Sequence, residues 1–379
     1  MDSDWLADAR RQIPALRAWH YFNTGTAGAM AHATADAMGR AFFEEMYHGR
    51  IRPEAWEESG HAQNECRERL GRLFHVPAET LALTHHTTEG MNLALLGTTA
   101  LGPGDEVLMT SLEHAGAVAP ARLTELRRGV SIRTVDVGEG GAGTVGAVTA
   151  AFTEKTRLLV VSHVAYGTGA VLEVGALVEA AHRRGIEVAV DGAQSVGAIP
   201  VNLSELQPDY YAFPAQKWLM GPEGLGGLYV RPDRLLTTLP VMAGAMSYGV
   251  GDDLYPDARR FQVSSIFRPG PVGLAASLAW LEEDIGYDRI FARTREVTAS
   301  LRAIIAGIPG ARIATPPDSA SGLLVFGVEG RPAADIVQDA GARRILIRTV
   351  PGDRVRVSGA WYLGDEDLDA FSQFARSLA

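Results

Sequence analysis

The chain has 379 residues, which is long enough for one large domain and a smaller one. Hydrophobic residues make up 46% and charged residues 21%, which is typical of a globular protein and not of a disordered chain. The formal net charge of −10 disfavours binding to nucleic-acid phosphates. We find no run of about 18 apolar residues and no signal-peptide pattern, so we expect no membrane span and a cytoplasmic location.

Short apolar segments alternate with helical ones over the first two thirds of the chain. Stretches with helical periodicity are at 59–75, 91–98, 117–128 and 175–184. The segments expected to be strands are 80–84, 106–110, 131–137, 157–163, 187–191, 210–213 and 226–230. This alternation predicts an α/β fold with a parallel sheet that helices cover on both faces.

The pattern changes after about residue 250. A loop-like segment, PDARRFQVSSIFRPGP, is followed by helical stretches at 272–281 and 287–305, several short strands and a last helix. We therefore expect a large domain over 21–255 and a smaller α+β domain made of 1–20 and 256–379.

Lysine usage singles out Lys217. The chain has only two lysines, Lys155 and Lys217, and the other 33 of its 35 basic residues are arginines. Lys155 lies in the polar stretch TEKTR, whereas Lys217 lies in the apolar stretch FPAQKWLMG. Arginine does not deprotonate and forms no useful Schiff base, so a lysine kept among apolar residues indicates a chemical role. The alternative is an ordinary surface cation.

A carboxylate, Asp191, ends the predicted strand before VDGAQSVG continues into Gln194. A buried carboxylate needs a partner, and a protonated pyridine nitrogen is one such partner. Functional groups of parallel sheets gather beyond the carboxyl ends of the strands, where Asp191 and Lys217 would meet. The alternative for Asp191 is a helix N-cap.

Two further strand ends carry polar groups. Thr87 and Thr88 in THHTTEGMN stand at the start of a helix, where backbone N–H groups and hydroxyls bind phosphate, or where one of them forms a capping box. His114 follows another strand, and an imidazole can stack on a flat ring or transfer protons, although a lone histidine is more often structural. The histidines show no paired metal-ligand spacing, so we predict no metal site.

Arginines near the C-terminus are candidates for binding a carboxylate. Arg348 and Arg356 lie in the predicted strands ILIRTV and RVRVSG, and a guanidinium binds a carboxylate in a bidentate manner. The alternative is a solvated strand edge. A separate segment, GEGGAG at 138–143, matches a dinucleotide fingerprint and leaves a nicotinamide dehydrogenase as a rival, but the following strand ends without an acid.

Nearly the whole chain resembles the class V aminotransferase family of pyridoxal-phosphate enzymes, which includes the cysteine desulfurases. The motifs that carry the resemblance are YFNTGTAG, THHTTEGMN, SLEHAGAV, VDGAQSVG, the lysine 26 residues after Asp191 and GPEGLGG. Within the family the pattern is most similar to the cyst(e)ine C–S lyase branch. The resemblance implies a fold-type-I homodimer with active sites shared between subunits.

The resemblance also implies roles for the matching residues. Lys217 would form the Schiff base and move the substrate's α-proton, Asp191 would pair with the pyridinium nitrogen, and Gln194 would bind the phenolic oxygen. His114 would stack on the ring, Ser265 would reach the phosphate in the partner subunit's site, and Arg356 with Arg348 would bind the substrate carboxylate. The remaining implied residues are Thr87, Thr88 and Gln216 for the cofactor and Tyr166 and Thr26 for the substrate.

Departures from the family pattern direct the functional hypothesis. The loop IRTVPGDRVRV lacks the nucleophilic cysteine of desulfurases, and the single cysteine, Cys66, lies in an early helical segment. Pro214 and Gln216 replace residues that are usually serine or threonine and histidine. We therefore expect β-elimination from cysteine, cystine or a cysteine conjugate. The alternatives are an aminotransferase or epimerase with the same lysine and cofactor, and a non-catalytic protein that binds pyridoxal phosphate.

Overall fold

A computed structural model describes residues 5–249, 251 and 253–378. The helices are α1 Trp5–Arg11, α2 His32–His48, α3 Pro53–Phe74, α4 Thr87–Gly97, α5 Ala115–Arg128, α6 Thr144–Ala151, α7 Val174–His182, α8 Leu203–Leu206, α9 Pro269–Ala279, α10 Tyr287–Ala306, α11 Ala333–Ala342 and α12 Asp365–Arg376. The strands are β1 His20–Tyr21, β2 Leu81–Thr84, β3 Glu106–Thr110, β4 Ser131–Val135, β5 Thr156–Ser162, β6 Glu187–Asp191, β7 Tyr210–Pro214, β8 Gly226–Val230, β9 Ala311–Ile313, β10 Leu323–Val328, β11 Ile345–Leu346, β12 Arg348–Val350 and β13 Arg354–Ser358.

Seven strands form the central sheet in the order β2-β8-β7-β6-β5-β3-β4. All the neighbouring strands from β7 to β4 pair in parallel, whereas β8 is antiparallel to both β7 and β2. The predicted parallel sheet is therefore mostly parallel, with one reversed strand. Since β8 reverses direction between β2 and β7, the carboxyl ends of β2, β3, β5, β6 and β7 all lie at one edge.

Burial of the central strands on both faces explains their continuous apolar sequences. In β5, Leu158 and Val160 pack into the cluster that contains α4 and α5 residues, whereas Leu159 and Val161 pack into the larger core on the opposite face. Successive side chains of a strand point to opposite faces, so a strand covered by helices on both sides must be apolar at every position.

The C-terminal part contains a second sheet, which is antiparallel and has the order β12-β13-β10-β9. The N-terminal segment packs against this part, because β1 pairs with β11 and Arg10 donates to the carbonyl of Tyr362 and pairs with Asp367. Helix α9 packs instead on α2 and α3. The division at residues 20 and 255 stays a prediction. Among the described residues, no helix has the length and apolar character to cross a membrane.

Candidate active site

Residues from five strand ends and from the β12–β13 hairpin surround a cavity of about 260 Å³. This volume is slightly below the roughly 300 Å³ at which small-molecule sites usually begin. A ligand the size of a small coenzyme would therefore fill most of the cavity. Eleven of the twelve predicted site residues line the cavity: Thr26, Thr87, Thr88, His114, Tyr166, Asp191, Gln194, Gln216, Lys217, Arg348 and Arg356. Ser265 does not line it and is exposed to solvent.

Asp191 and Lys217 occupy adjacent strand ends because β6 and β7 are hydrogen-bonded neighbours. Asp191 is 4% exposed, and its Oδ1 accepts a hydrogen bond of 2.8 Å from the backbone N–H of Ala193. Burial raises the pKa of Asp191, and the charge of Lys217 opposes this shift. Burial lowers the pKa of Lys217 to about 8, although Asp191 opposes that shift as well. Both groups are therefore moved towards their neutral forms.

The amino terminus of α4 lies at the cavity, and the backbone N–H groups of Thr87 and Thr88 have no hydrogen-bond partner in the part of the chain that the structure describes. His86 is the N-cap and its Nδ1 accepts a hydrogen bond of 3.0 Å from the N–H of Glu89, so neither Thr87 nor Thr88 caps the helix. The sequence alternative of a threonine capping box is wrong for this reason. A Cβ on Gly116 would lie 2.7 Å from the hydroxyl of Thr88, so glycine keeps this cradle open. Free helix N–H groups and two hydroxyls suit a phosphate.

His114 and Tyr166 form an aromatic pair at the cavity. Their ring centroids are 4.7 Å apart and the rings are nearly perpendicular, at 89°. His114 also caps α5, since its Nδ1 accepts a hydrogen bond of 3.0 Å from the N–H of Gly116. Burial lowers the pKa of His114, and Asp191 opposes the shift. An imidazole whose Nδ1 is an acceptor carries its proton on Nε2, which orients the ring.

Two glutamines show how the site fits pyridoxal phosphate. Gln194 is 3% exposed, donates from Nε2 to the carbonyl of Gly25 at 2.7 Å and accepts from the indole of Trp218 at 3.1 Å, which leaves one Nε2 hydrogen. Gln216 has a buried Oε1 without a hydrogen-bond partner among the described residues. A buried amide oxygen without a donor at a cavity wall indicates that a donor group of a ligand satisfies it. Together with the α4 terminus and Asp191, these residues fit the cofactor.

The β12–β13 hairpin contributes two opposed arginines to the cavity wall. Arg348 and Arg356 are directly opposite in the antiparallel β12–β13 pair, and both donate to the hydroxyl of Thr26, at 3.2 and 3.0 Å. Arg356 is 2% exposed, its Nε has no hydrogen-bond partner within residues 5–249, 251 and 253–378, and burial lowers its pKa to about 9. Neither arginine forms an ion pair with a described residue. Like charges placed opposite each other are destabilising, so this pair favours binding of an anion.

The sequence analysis missed three residues near the cavity. His86 and Ser162 line it, and Ser162 donates to the buried carboxyl group of Glu113 at 2.7 Å. Thr110 donates to the other oxygen of Glu113 at 2.5 Å, and burial raises the pKa of Glu113 to about 7. Glu113 precedes His114 in SLEHAGAV, and a carboxylate in the short segment between β3 and α5 was the available signal.

Two features considered in the sequence lie away from this cavity. The GEGGAG loop contacts the hairpin through an ion pair between Glu139 and Arg354, and it does not line the site. Cys66 is 0% exposed, its thiol donates to the carbonyl of Pro271 at 3.2 Å, and burial raises its pKa to about 12. A thiol of that kind is not a nucleophile at neutral pH.

The fold and the paired lysine and aspartate define an enzyme of the fold-type-I pyridoxal-phosphate class. The chain belongs to the aminotransferase class-V family, whose model matches residues 21–362. A probable cysteine desulfurase of Methanothermobacter thermautotrophicus is 29% identical over 98% of both chains. The isopenicillin N epimerase of Streptomyces clavuligerus is 30% identical over 83% of this chain and 84% of its own length.

Solved structures agree with this assignment. The cystine C–S lyase C-DES, in complex with cysteine persulfide, superposes with a TM-score of 0.92 at 27% identity, covering 96% of this chain and 99% of its own. The chain spans only 49% and 55% of the length of two mycobacterial relatives, both probable cysteine desulfurases. The predicted family, the α/β fold-type-I architecture, the enzyme class and the cofactor, pyridoxal phosphate, are confirmed.

Proposed function

We propose that the protein is a pyridoxal-phosphate-dependent C–S lyase, which cleaves the β-carbon–sulfur bond of cysteine, cystine or a cysteine conjugate. The observation that carries this proposal is a cavity lined by eleven of the twelve residues expected to bind cofactor and substrate, in a chain whose single cysteine is buried. A desulfurase needs a cysteine to accept sulfur, and Cys66 is fully buried. The likeness to a cystine C–S lyase over nearly the full length of both chains supports the same reaction.

Each wall of the cavity supplies one requirement of the reaction. When bound, pyridoxal phosphate supplies an electron sink for the charge that develops at the substrate's α-carbon. Asp191 would hold the pyridine nitrogen, Gln194 the phenolic oxygen, and Thr87 and Thr88 the phosphate, while Gln216 would contact the cofactor beside Lys217. His114 would stack on the ring, with its orientation set by Gly116 and Tyr166. These roles rest on the placement of the residues around one cavity.

The chain's own residues would bind the substrate and move its proton. Arg356 would bind the α-carboxylate, while Thr26, which donates its own proton to Asn23 at 2.8 Å, holds both guanidinium groups as an acceptor. The amine of Lys217 would remove the α-proton. The β-carbon–sulfur bond then breaks. Sulfur leaves as a persulfide from cystine, as hydrogen sulfide from cysteine or as a thiol from a conjugate, and water converts the organic fragment into pyruvate and ammonia.

The reaction is tested by incubating the holoenzyme with L-cystine, L-cysteine and a cysteine S-conjugate while pyruvate is followed. We expect pyruvate with one equivalent of persulfide from cystine, hydrogen sulfide from cysteine or thiol from the conjugate, and none of these products with Lys217→Ala. Three other outcomes would overturn the proposal. A keto acid formed only with an amino acceptor indicates an aminotransferase. Inversion at the α-carbon without pyruvate indicates an epimerase, as in the Streptomyces relative. A retained cofactor with no turnover indicates a binding protein.

The cofactor site is tested without any substrate. Borohydride treatment of the purified holoenzyme should bleach its visible absorption band and add a reduced pyridoxyl group to the peptide that contains Lys217. Lys155→Arg is the matched control, because it changes the only other lysine, which is exposed. A reduced adduct on any residue other than Lys217 would contradict the site.

We also propose that the active unit is a cytoplasmic homodimer. Large apolar side chains are exposed along α2 and the segment after it, among them Phe43 at 54%, Tyr47 at 74% and Ile51 at 87% exposure. A contiguous apolar surface of this kind favours association with another chain. Ser265 is exposed and absent from its own chain's cavity, which suits its predicted reach into the partner subunit's site. Light scattering should give twice the mass of 40.5 kDa, and Tyr47→Asp should lower it.

A further inference from the structure

A buried network of hydrogen bonds ends at the turn that follows Asp191, and none of its side chains lines the cavity. It consists of His163, Tyr211 and Ser195 and ends at the carbonyl of Gly192, the residue after Asp191. The three successive contacts measure 2.8 Å from His163 Nδ1 to the phenol oxygen, 2.5 Å from the phenol to Ser195 Oγ, and 3.0 Å from Ser195 Oγ to the carbonyl. Exposure is 6% for His163 and 0% for Tyr211 and Ser195.

The donor and the acceptor in each hydrogen bond of this network follow from the number of hydrogens that each group carries. The carbonyl of Gly192 only accepts, so the single hydroxyl hydrogen of Ser195 is donated there. Ser195 Oγ must then accept from the phenol of Tyr211, and the phenol oxygen must accept from Nδ1–H of His163. His163 is therefore the neutral tautomer with its proton on Nδ1. Burial lowers the pKa of His163 to about 4, which agrees with a neutral ring.

The hydrogen-bonded network of His163, Tyr211 and Ser195 is closely packed against the turn that carries Asp191. A Cβ built on Gly192 would overlap the ring of Tyr211, so only glycine allows this approach. The backbone N–H of His163 donates to the carbonyl of Asp191 at 2.9 Å, and the N–H of Gly192 donates to the carbonyl of Ala212 at 2.7 Å. Burial, with a contribution from the charge of Asp191, raises the pKa of Tyr211, so the phenol remains a donor.

We propose that Tyr211 is a positioning residue for the cofactor: its phenol, held between His163 and Ser195, fixes the turn that aims the Asp191 carboxylate at the pyridine nitrogen. The hydrogen-bonded network ends at the carbonyl of Gly192, which takes up no proton. The network therefore fixes the geometry of the turn and does not relay protons. A hydrogen-bonded, rigid support is what keeps a site residue within the tolerance that chemistry requires. The inference rests on the proposed role of Asp191.

Tyr210 provides a matched control one residue away. It is also buried, at 1% exposure, and its phenol is also hydrogen-bonded, to Thr238 at 2.8 Å and to Glu187 at 3.3 Å. Successive residues of β7 face opposite sides of the sheet, so Tyr210 packs into the other core and has no bond to the Asp191 turn. Tyr210→Phe and Tyr211→Phe each remove one buried phenolic hydroxyl and keep the ring.

The test compares these two variants as holoenzymes, with and without substrate. We expect Tyr211→Phe to shift the pH midpoint of the bound cofactor's visible absorption band and to weaken cofactor binding about tenfold, while Tyr210→Phe changes neither. With substrate, Tyr211→Phe should lower kcat about tenfold with KM within twofold. Equal effects of the two variants, or an unchanged midpoint and affinity in Tyr211→Phe, would overturn the proposal.

A conservative replacement of His163, the first residue of the hydrogen-bonded network, provides a second test. His163→Asn places an amide N–H near the position of Nδ1 and should keep the absorption midpoint of the wild type, whereas His163→Ala should shift it in the same direction as Tyr211→Phe. A shift of equal size in both histidine variants would contradict the donor role. The absorption and affinity readouts require no turnover, so they remain informative even if C–S lyase activity is not found.

Discussion

Asp191 and Lys217 lie on the sheet-edge wall of the cavity, whereas Arg348 and Arg356 lie on the hairpin wall. Burial moves Asp191 and Lys217 towards neutrality, and a pKa of about 8 for Lys217 leaves its amine able to exchange a proton near physiological pH. Arg356 is buried as deeply, yet with a pKa of about 9 it stays a cation at neutral pH. The sheet edge therefore holds groups that react, and the hairpin holds groups that bind charge.

The largest expected effect on activity comes from Lys217→Arg, which gives the sheet-edge wall the same type of cation as the hairpin wall. Lys217→Arg keeps the charge but removes the amine that can deprotonate, so pyruvate formation should fall by at least about 10⁴-fold. Initial rates with cystine measure this loss, and Lys155→Arg should stay within twofold of the wild type. Residual activity above about one per cent in Lys217→Arg would refute the assigned role.

Removal of the buried hairpin cation should have the next largest effect. Arg356→Gln leaves the substrate carboxylate without its buried partner, so kcat/KM should fall about 100-fold, which corresponds to ~3 kcal/mol. Steady-state kinetics with cystine measure the change, and thermal unfolding of the variant serves as the folding control. A normal kcat/KM in a folded variant would show that the carboxylate binds elsewhere.

The lowered pKa of Lys217, in contrast to the charged arginines of the hairpin, predicts how capture of the cofactor aldehyde by the lysine depends on pH. Only the neutral amine of Lys217 reacts with an aldehyde, so a pKa of about 8 predicts capture about tenfold faster at pH 9 than at pH 7 in the cofactor-free protein. The pKa is lowered, so the reactive form increases as pH rises through 8. Stopped-flow absorbance measures the rates. A rate that still rises steeply above pH 9.5 would indicate an unshifted lysine.

The smallest expected effect separates the two arginines of the hairpin. Arg348 is exposed, and its hydrogen bonds to described residues go only to Thr26 and to the carbonyl of Thr349. Arg348→Gln should therefore lower kcat/KM no more than about fivefold, or ~1 kcal/mol. The same kinetic assay measures it beside Arg356→Gln. An equal loss in the two variants would show that exposure does not distinguish them and that both arginines contact the carboxylate.

Local sequence patterns predicted most of the sheet. The bounds of β3, β6 and β8 coincide with the segments 106–110, 187–191 and 226–230. Among the helices, α3 differs most from its expected bounds, because it begins at Pro53 and not at residue 59. The helical periodicity at 91–98 also begins later than α4 itself, whose first residue is Thr87. His86 supplies the cap with its imidazole, and histidine is an uncommon N-cap that a search for serine, threonine, aspartate or asparagine does not find.

The sequence by itself determined which groups end the strands, because apolar runs and the polar residues after them are local features. Only the tertiary structure decided which of those groups meet. His163 also ends a strand, yet it faces a different cavity from Lys217, and Arg348 meets Arg356 only through the register of two antiparallel strands. The link from Tyr211 to the Asp191 turn was equally hidden, since hydrogen bonds between strands depend on pairing and on side-chain direction, neither of which a single segment specifies.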